Sequence, residues 1–246
     1  MNRKKTSYSS YQGEITPAVP NLLKRDFHAN RPNEKWLTDI MEFAIPAGKV
    51  YLSPIIDCFD GMPVCWSIGI SPNAELTNGM LDKAISLLKV GEHPVVHTDR
   101  GCHYRWPGWI SRMEAAHLHR SMSKKGCSPD NSACEGFFGR MKNEMFYGIS
   151  WLNVSIEEFI HTVEDYMVWY REKRIKISLG GLRPLEYRRD YPEFCVTAKM
   201  RCKIELIFQG GSGVGCARLV YNITPTGAEV KGHPRPLGSR RRRSAP

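Results

Sequence analysis

The stretch "KWLTDIMEFAIPAGKVYLSPIIDCFDGMPVCWSIGIS" occupies residues 35–71 and contains three segments rich in apolar, β-branched and aromatic residues. Such a composition is typical of β-strands, and the three predicted strands are Lys35–Ile45, Lys49–Asp60 and Pro63–Ser71. Short turn sequences separate them, since Pro-Ala-Gly follows the first strand and Asp-Gly ends the second. Connections this short join antiparallel neighbours. We therefore expect the fold to begin with a three-stranded meander.

The chain after the meander alternates helical and extended patterns. Apolar residues recur at helical spacing in four segments, which are Asn73–Val90, Trp106–Leu118, a segment capped by Asp130 or Asn131 that runs through Glu135 to about Phe146, and Ile156–Arg174. Two further strands are predicted at His93–Asp99 and His119–Ser123. This order indicates an α/β protein with a mixed five-stranded sheet flanked by helices. In such an arrangement we expect the first and fourth strands to lie side by side.

Length and composition limit the class of protein. The 246 residues are 41% hydrophobic and contain no apolar run of eighteen residues, so a folded domain is expected and a membrane span is not. The N-terminus lacks the apolar segment of a secretory signal, which predicts a cytoplasmic protein with reduced cysteines. None of the eight cysteines forms a CxxC pair. A zinc site at His93, His97 and Cys102 is a minor alternative.

The positive charge is concentrated towards the C-terminus. The net charge is +10, which indicates a polyanionic partner. Residues 191–246 hold +7 of that excess, and residues 1–190 hold only +3. The pattern predicts a linker over residues 1–23, a compact domain over residues 24–190 and an atypical basic tail over residues 191–246, which we expect to be disordered. Arg240–Arg243 in that tail fit either a solvated run or phosphate binding.

Two aspartates occupy strand positions where this residue type is unusual. Asp39 lies inside the first predicted strand, and Asp99 ends the fourth in "VVHTDRGCHY". If those strands are neighbours, the two carboxylates meet at one place on the sheet. Glu135 is a third candidate, since it shares a helix face with Asn131 and Lys142. Three adjacent carboxylates repel one another unless they bind a hard divalent cation such as Mg²⁺, and a pair of such ions can stabilise both oxygens of a phosphoryl displacement.

Local patterns alone leave each of these acids open to a structural role. Asp99 fits a turn cap, Asp39 a satisfied buried carboxylate and Glu135 a surface acid. Asp57 is the strongest competing candidate, because it also lies in a predicted strand. Other acids near apolar residues are Glu34, Glu42 and Glu144.

Taken together, the motifs resemble a known family. The segments "NEKWLTDI", "VYLSPIIDCFD", "VVHTDRGCHY", "SMSKKGCSPDNSACEGFFGRMKNEMFY" and "WYREKRIKISLGGLRPLEY" are similar to the integrase-core transposases of bacterial insertion sequences, within the retroviral-integrase superfamily. The similarity extends from about Ser7 to Arg189. It implies a ribonuclease-H-like fold, and the 35 residues between Asp99 and Glu135 are a hallmark of that family.

The resemblance implies roles residue by residue. Asp39, Asp99 and Glu135 match the DDE catalytic triad, which implies that they hold two Mg²⁺ ions, with Mn²⁺ as a substitute, for strand cleavage and strand transfer. Lys142 matches a residue that contacts DNA near the scissile phosphate. Further basic candidates for DNA contact are Lys124, Lys125 and Arg140, and further family matches are Tyr104, Tyr170, Arg174 and Pro184. The implied partners are the DNA of element ends and target and further copies of the chain, in a nucleoid-associated protein without membrane contact.

Some features depart from the family pattern. Met41 stands where relatives usually have threonine, the chain lacks the helix-turn-helix region that full-length relatives use to recognise element ends, and relatives normally end near Arg189. Translation is therefore expected to begin in the linker, and the tail is expected to be read-through or out-of-frame sequence. The alternative to a transposase core is a truncated, non-autonomous relic that binds DNA or intact transposase without transposing. A nuclease of the same fold that acts on RNA is a third hypothesis.

Overall fold

Helices cover both faces of a six-stranded mixed sheet in the computed structural model, which describes residues 17–124 and 128–191 and the backbone of residues 203–207 and 218–222. The strands of this sheet are β1 (Lys35–Thr38), β2 (Met41–Ile45), β3 (Gly48–Asp57), β4 (Pro63–Gly69), β5 (Val95–Thr98) and β6 (His119–Met122). The α-helices of the described residues are α1 (Ala74–Ser86), α2 (Pro107–Ala115), α3 (Ser132–Met141), α4 (Ile156–Glu172) and α5 (Pro184–Arg189). The predicted ribonuclease-H-like α/β fold is confirmed.

The sheet has six strands rather than five because the first predicted strand is divided. β1 and β2 both pair antiparallel with β3 and keep one register across the gap between them. Asp39 lies in that gap, and the register places it opposite Pro54 of β3, which has no N–H to donate to a ladder. The missing donor explains why the ladder is interrupted there. Asp39 therefore lies between two strands, and the prediction that it lies inside one is wrong.

β1 has β3 on one side and β5 on the other. It pairs parallel with β5, so that Leu37 faces His97, and β5 in turn pairs parallel with β6. The expected adjacency of the first and fourth predicted strands is thereby confirmed, since these are β1 and β5. The same register, carried two residues further, places Asp39 level with Asp99 just beyond the ends of both strands.

Alternate residues of the central strands face different pairs of helices. Trp36 of β1 lies in a core cluster with Met80 of α1 and Met113 of α2. Leu37 lies in a second cluster, together with buried side chains of α3 and α4. Because side chains alternate between the faces of a sheet, Asp39 shares the face of Leu37 and is directed towards α3.

Several helices end earlier than predicted, and α2 for example ends at Ala115 rather than Leu118. α1 ends at Ser86 rather than Val90, and α3 ends at Met141, after which a π-helical turn over Lys142–Phe146 continues to the predicted end. Asn131 is the N-cap residue of α3, which is one of the two predicted positions, but its side chain makes no capping hydrogen bond. No helix in the described part of the chain is long and apolar enough to cross a bilayer.

The chain divides into two units at residue 195, close to the predicted domain boundary. The second unit contains β7 (Lys203–Ile207) and β8 (Arg218–Asn222), which pair antiparallel. Residues 1–16 of the predicted linker and the rest of the predicted tail, including Arg240–Arg243, lie outside the described residues. The linker and the disorder of the tail therefore stay predictions.

Candidate active site

Asp39 and Asp99 lie beside each other just past the ends of β1 and β5. Both are half-buried, and the strands that carry them pair in register. Burial, followed by the negative charge of Asp99, raises the pKa of the Asp39 carboxyl to about 6. The sheet thus brings together the first two acids that the sequence analysis singled out.

Hydrogen bonds orient the Asp39 carboxylate. The N–H of Ile40 donates to Oδ1 at 2.7 Å, and Nδ2 of Asn131 donates to Oδ2 at 2.9 Å. Both bonds favour the ionised form and lower the pKa of Asp39, which opposes the effect of burial. Asn131 is itself buried, and its Oδ1 atom has no hydrogen-bond partner within the described residues.

A tight turn orients the Asp99 carboxylate. The N–H of Gly101 donates to Oδ1 of Asp99 at 2.8 Å. A Cβ atom added to Gly101 would lie 2.8 Å from the same oxygen, which is too close for any side chain. Glycine at this position therefore allows the backbone to approach the carboxylate closely.

Glu135 lies in the first turn of α3 and is exposed. Its charge is a further cause of the raised pKa of Asp39. The neighbouring thiol of Cys134 is buried, which raises its pKa well above the usual value, and the charges of Asp39, Asp99 and Glu135 all raise it further. The three acids predicted from the sequence are therefore near enough to the start of α3 for their charges to act on the same buried thiol.

The oxygen donors in this region suit a hard divalent cation. Mg²⁺ in proteins is typically bound by one or two carboxylates, and water or phosphate oxygens complete its coordination. Asp39 and Asp99 supply such a pair, and a further unpartnered oxygen is Oδ1 of Asn131, whose Nδ2 donates to Asp39. In the described residues no three His, Cys, Asp or Glu side chains lie close enough together to hold a metal ion. An open site of two neighbouring carboxylates, with Glu135 nearby, is compatible with a cation that also binds phosphate.

Tyr104 lies close to the same two aspartates. Its side chain is buried, and burial, followed by the charges of Asp39 and Asp99, raises its pKa well above the usual value. Its ring makes a T-shaped contact with Trp109 at 5.0 Å between centroids. Tyr104 is therefore a neutral phenol that adds no charge to the carboxylates.

The lysines predicted to contact DNA lie in separate places. Lys142 begins the π-helical turn after α3, and its charge lowers the pKa of Glu42 on β2. Lys124 lies two residues after the end of β6, and its side chain is exposed. Lys125 lies outside the described residues, so its position stays open.

Arg140 is directed away from the three carboxylates. Its charge lowers the pKa of Tyr170 in α4 and that of Glu144 in the π-helical turn. Since Arg140 follows Glu135 by five residues, the two side chains lie on different sides of α3. The structure does not bring Arg140 together with the proposed triad.

The carboxylate of the competing acid Asp57 accepts hydrogen bonds from other residues of the fold. It is fully buried, and its Oδ2 accepts hydrogen bonds from Nη2 of Arg188 at 2.7 Å and from the N–H of Asn33 at 2.8 Å. The other acids also have partners, since Glu42 pairs with Lys49 at 2.8 Å. Further contacts of this kind are those of Glu34 with the Asn30 N–H and of Glu144 with Arg174 and Tyr166.

The minor zinc alternative finds no geometric support in the described residues. His97 is fully buried, with Nδ1 at 2.8 Å from Oγ of Ser121 and Nε2 at 2.9 Å from the carbonyl oxygen of Asp130. Both ring nitrogens are therefore used by the fold. The ring of His93 contacts that of His117 instead.

Other positions from the comparison with the family pattern, whether they match it or depart from it, have roles in the fold. Met41, where threonine is usual, is buried in the cluster between the sheet and α3 and α4. Tyr170 is buried in the same cluster, and Arg174 donates to Glu144 at 3.1 Å. Pro184 is the first residue of α5, a position that suits its missing N–H.

Two residues that shape the site had no such role in the sequence analysis. Asn131 holds Asp39, and Gly101 closes the turn on Asp99. The four-residue spacing of Asn131 and Glu135 was a signal for the first, because residues so spaced share a helix face. The glycine two residues after Asp99 was a signal for the second.

Comparison with known proteins gives consistent matches along the first unit. An integrase core domain family matches residues 29–128, and a second integrase core domain family matches residues 135–191. A probable transposase for insertion sequence element IS1353 from Shigella flexneri is 61% identical over 185 residues, which are 75% of this chain and 36% of that protein. A putative transposase for IS150 from Escherichia coli is 42% identical, over 74% of this chain and 63% of that protein. The chain thus spans about a third to two-thirds of the length of these relatives.

A shorter relative is matched over most of its length. An uncharacterized transposase-like protein from Haemophilus influenzae is 41% identical over 185 residues, which are 75% of this chain and 84% of that protein. Among solved structures, a simian T-cell lymphotropic virus intasome has a TM-score of 0.57 at 14% identity and covers 85% of this chain and 73% of that one. The HTLV-2 integrase catalytic core domain in complex with magnesium, in a trimeric form, has a TM-score of 0.50 at 18% identity and covers 65% of this chain and 99% of that one. At such identities the two structures show a shared fold.

Proposed function

Since the chain belongs to the integrase-core transposases of bacterial insertion sequences, we propose that its first unit is a DNA transposase catalytic core that cuts and joins DNA strands. The observation that carries the proposal is the pair Asp39 and Asp99, which β1 and β5 hold level with each other, with the charge of Glu135 close by. Phosphoryl transfer asks for positioned charges rather than covalent chemistry from the protein. The site supplies such charges.

Asp39, Asp99 and Glu135 are the catalytic residues of this proposal and the ligands of two Mg²⁺ ions, for which Mn²⁺ substitutes. The all-carboxylate donor set supports a hard cation, and the HTLV-2 integrase core was solved in complex with magnesium. When bound, the ions would polarise phosphoryl oxygens and activate the attacking hydroxyl.

The chain's own side chains orient these acids and the DNA. Asn131 and the N–H of Ile40 fix both oxygens of Asp39, so that its rotamer is set before substrate arrives. In the proposal Lys142 and Lys124 neutralise DNA phosphates, and Lys125 and Arg140 are further candidates. Of these, Arg140 has the least support, because its charge acts on α4 and the π-helical turn.

The proposed reaction has two displacements. At the end of the element, a water oxygen forms a new bond to phosphorus while the bond to the 3′-oxygen breaks, which leaves a 3′-hydroxyl on the element and a 5′-phosphate on the flanking strand. That hydroxyl then attacks a phosphodiester of the target, where one P–O bond forms while the bond to the target's own 3′-oxygen breaks. No serine or tyrosine of the chain becomes attached to DNA.

We infer two classes of partner from the same family. The DNA of the element ends and of the target is the substrate, which would associate the protein with the nucleoid. A second copy of the chain is expected because synapsis joins two element ends. The intasome and the trimeric integrase core among the structural matches support an assembly of several copies.

The proposal is tested by metal-dependent strand rejoining on a branched DNA that mimics the reverse of insertion. This substrate depends little on recognition of the element ends. With Mn²⁺ or Mg²⁺ the full chain is expected to rejoin the branched DNA and to leave an RNA of the same design intact. Asp99→Asn and Glu135→Gln are each expected to abolish the reaction.

Matched controls separate lost chemistry from lost charge. Asp165→Asn and Glu157→Gln make the same changes at exposed positions of α4, and both are expected to retain parental activity. A folded parent chain that rejoins no DNA with either metal ion would contradict the proposal. So would an Asp99→Asn variant that remains fully active.

A further inference from the structure

A basic pocket of about 670 Å³ is lined in part by the chain neighbours of Asp99 and Asn131. Four cations and one buried carboxylate characterise it, and these residues are Lys24, Arg25, Arg100, Lys124 and Asp130. Arg100 directly follows Asp99, and Lys124 follows β6, which is the neighbour of β5. The pocket therefore lies next to the proposed catalytic acids, and its lining residues carry a net charge of +3.

The single carboxylate of the basic pocket is fully used by the protein. Asp130 is only 3% exposed, and its Oδ1 accepts from Nε of Arg25 at 2.8 Å. Its Oδ2 accepts from Nδ2 of Asn21 and from the N–H of Lys124, both at 3.0 Å. Asp130 thus fixes the position of two of the cation-bearing residues.

The remaining cations are not neutralised by acids. Within the described residues no carboxylate lies within ion-pair distance of Lys24, Arg100 or Lys124. Nε of Arg100 donates to the carbonyl oxygen of Ser123 at 2.8 Å, which holds the guanidinium at the pocket wall. Cations arranged in this way favour an anionic ligand with several oxygen acceptors.

The segment that brings Lys24 and Arg25 to the pocket is held in an unusual conformation. Both residues have positive φ, 51° and 70°, which is unfavourable for residues other than glycine. Anchors on either side maintain it. The N–H of Leu22 donates to Oγ of Ser121 at 2.9 Å, the N–H of Lys24 donates to Oδ1 of Asn21 at 2.9 Å, and Leu23 is buried in the core. Residues 20–23 belong to the predicted linker, yet the hydrogen bonds of Leu22 and the burial of Leu23 attach them to the domain.

The basic pocket is also connected to the catalytic acids. Asp130 and Asn131 are adjacent in the turn before α3, and Asn131 donates to Asp39. One residue of this turn thus contacts the pocket cations, and the next contacts a proposed metal ligand. Because Asp130 and Asn131 are consecutive, a ligand bound at Arg25 and Lys124 would have a fixed position relative to Asp39.

We propose that the basic pocket binds a phosphate of the DNA backbone that lies close to the reacting phosphate. Binding there would position the DNA over the carboxylates. This inference rests on the proposed function and deepens it, because it adds Lys24, Arg25 and Arg100 to Lys124. The volume of about 670 Å³ accommodates a phosphate with its attached sugar. Arginine forks and lysine ammonium groups are the side chains that bind phosphates.

The test measures DNA binding without chemistry. The full chain is titrated with fluorescently labelled branched DNA in EDTA, at several salt concentrations. Lys24→Gln and Arg100→Gln are each expected to raise the Kd roughly tenfold. Each is also expected to reduce the slope of log Kd against log salt concentration by about one, because one phosphate contact is lost. Lys173→Gln removes one charge from an exposed position after α4 and is expected to leave binding unchanged.

A second measurement locates the phosphate directly. Branched DNA that carries a photo-crosslinker on a single phosphate, placed in turn on each side of the branch, is irradiated with the full chain. Crosslinks on the peptides that contain Lys24 or Arg100 support the proposal. Crosslinks confined to other peptides overturn it, as does parental DNA binding by both pocket variants.

The outcome for the pocket is separable from that for the proposed function. If the parent chain rejoins DNA with Mn²⁺ while both pocket variants bind DNA as the parent does, the pocket proposal fails and the transposase core stands. If the pocket variants weaken binding but the parent chain rejoins nothing, the pocket stands and the proposed chemistry fails. Parental melting temperatures of Lys24→Gln and Arg100→Gln exclude unfolding as the cause.

Discussion

At the scale of single residues, the backbone N–H of Gly101 orients the carboxylate of Asp99. This N–H lies 2.8 Å from Oδ1 of Asp99, and a Cβ atom at Gly101 would lie equally close to that oxygen. Any side chain here must therefore displace the Asp99 carboxylate from this position. Displacements of about 1 Å at a reacting centre can cost on the order of a hundredfold in rate.

Gly101→Ala is expected to lower the rate of strand rejoining by at least about tenfold, because the added methyl group moves the Asp99 carboxylate. The rate is measured on the branched DNA with Mn²⁺. Gly139→Ala is the matched control, since a Cβ atom at that position of α3 meets no atom within 4 Å. Equal rates for Gly101→Ala and the parent would show that the turn does not set the carboxylate.

Asn131→Leu is expected to raise the Mn²⁺ concentration needed for half-maximal rejoining by roughly tenfold to a hundredfold, since outer partners of metal ligands have effects of this size. The substitution removes the hydrogen bond to Oδ2 of Asp39 while keeping a similar volume. A purely structural role would lower the melting temperature without changing the metal requirement. Asn30→Leu, at an exposed position, serves as the control.

At the scale of elements, α5 is attached to the sheet by a buried ion-pair network. Arg188 of α5 is 2% exposed, and its guanidinium donates to Asp57 at the end of β3 and to Asp60 in the following turn, at 2.7 Å each. Arg188 is more than a hundred residues from both aspartates along the chain. The network therefore closes the C-terminal part of the first unit onto the meander.

Arg188→Met is expected to lower the free energy of unfolding by about 3–5 kcal/mol, because it leaves two buried carboxylates without their cation. Urea unfolding of the full chain at neutral pH measures the change. Arg189→Met replaces the exposed neighbour and is expected to change stability by less than about 0.5 kcal/mol. Similar losses in the two variants would contradict a special role for the network.

The same variant carries a pH dependence of known sign. Burial raises the pKa of Asp57, and Arg188 opposes that rise. Without the arginine, the folded variant therefore takes up a proton at higher pH than the unfolded chain does, so it gains stability relative to the parent as the pH falls. The difference in unfolding free energy between parent and Arg188→Met is expected to shrink as the pH falls from neutral into the acidic range. A difference that grows over this range would contradict the assignment.

At the scale of the whole molecule, buried thiols report how often the first unit opens. Cys65 on β4 is buried in the core, and burial raises its pKa to about 12. Cys102 is half-buried outside the sheet. The two thiols therefore sample the interior and the outer layer of the same unit.

Alkylation at pH 8 is expected to modify Cys102 long before Cys65, because roughly one Cys65 thiol in ten thousand is ionised at that pH and the side chain has no access to reagent. Mass spectrometry of peptides from the full chain measures both rates. In urea the two rates are expected to converge, since unfolding removes the protection of Cys65. Fast native labelling of Cys65 would show that the core opens readily.

Much of this protein was determined by local patterns in its sequence. Strand and helix periodicities depend on neighbours a few residues apart, so the alternation of elements, the α/β class and the adjacency of the strands that carry Asp39 and Asp99 were all predictable. The motifs around those acids also indicated the family to which the chain belongs. The roles of Asp39, Asp99 and Glu135 in catalysis and metal binding stay predictions.

Only the tertiary structure decided features that depend on contacts between distant residues. Pro54 divides the first predicted strand because it lies opposite Asp39 on β3, and this pairing is invisible to local periodicity. Asp130 or Asn131 was expected to cap α3, yet the side-chain amide of Asn131 donates to Asp39 from 92 residues away. Arg188 likewise meets Asp57 across 131 residues. Packing brings such side chains together, and since each chain segment has many possible distant partners, no spacing along the sequence specifies which one it meets.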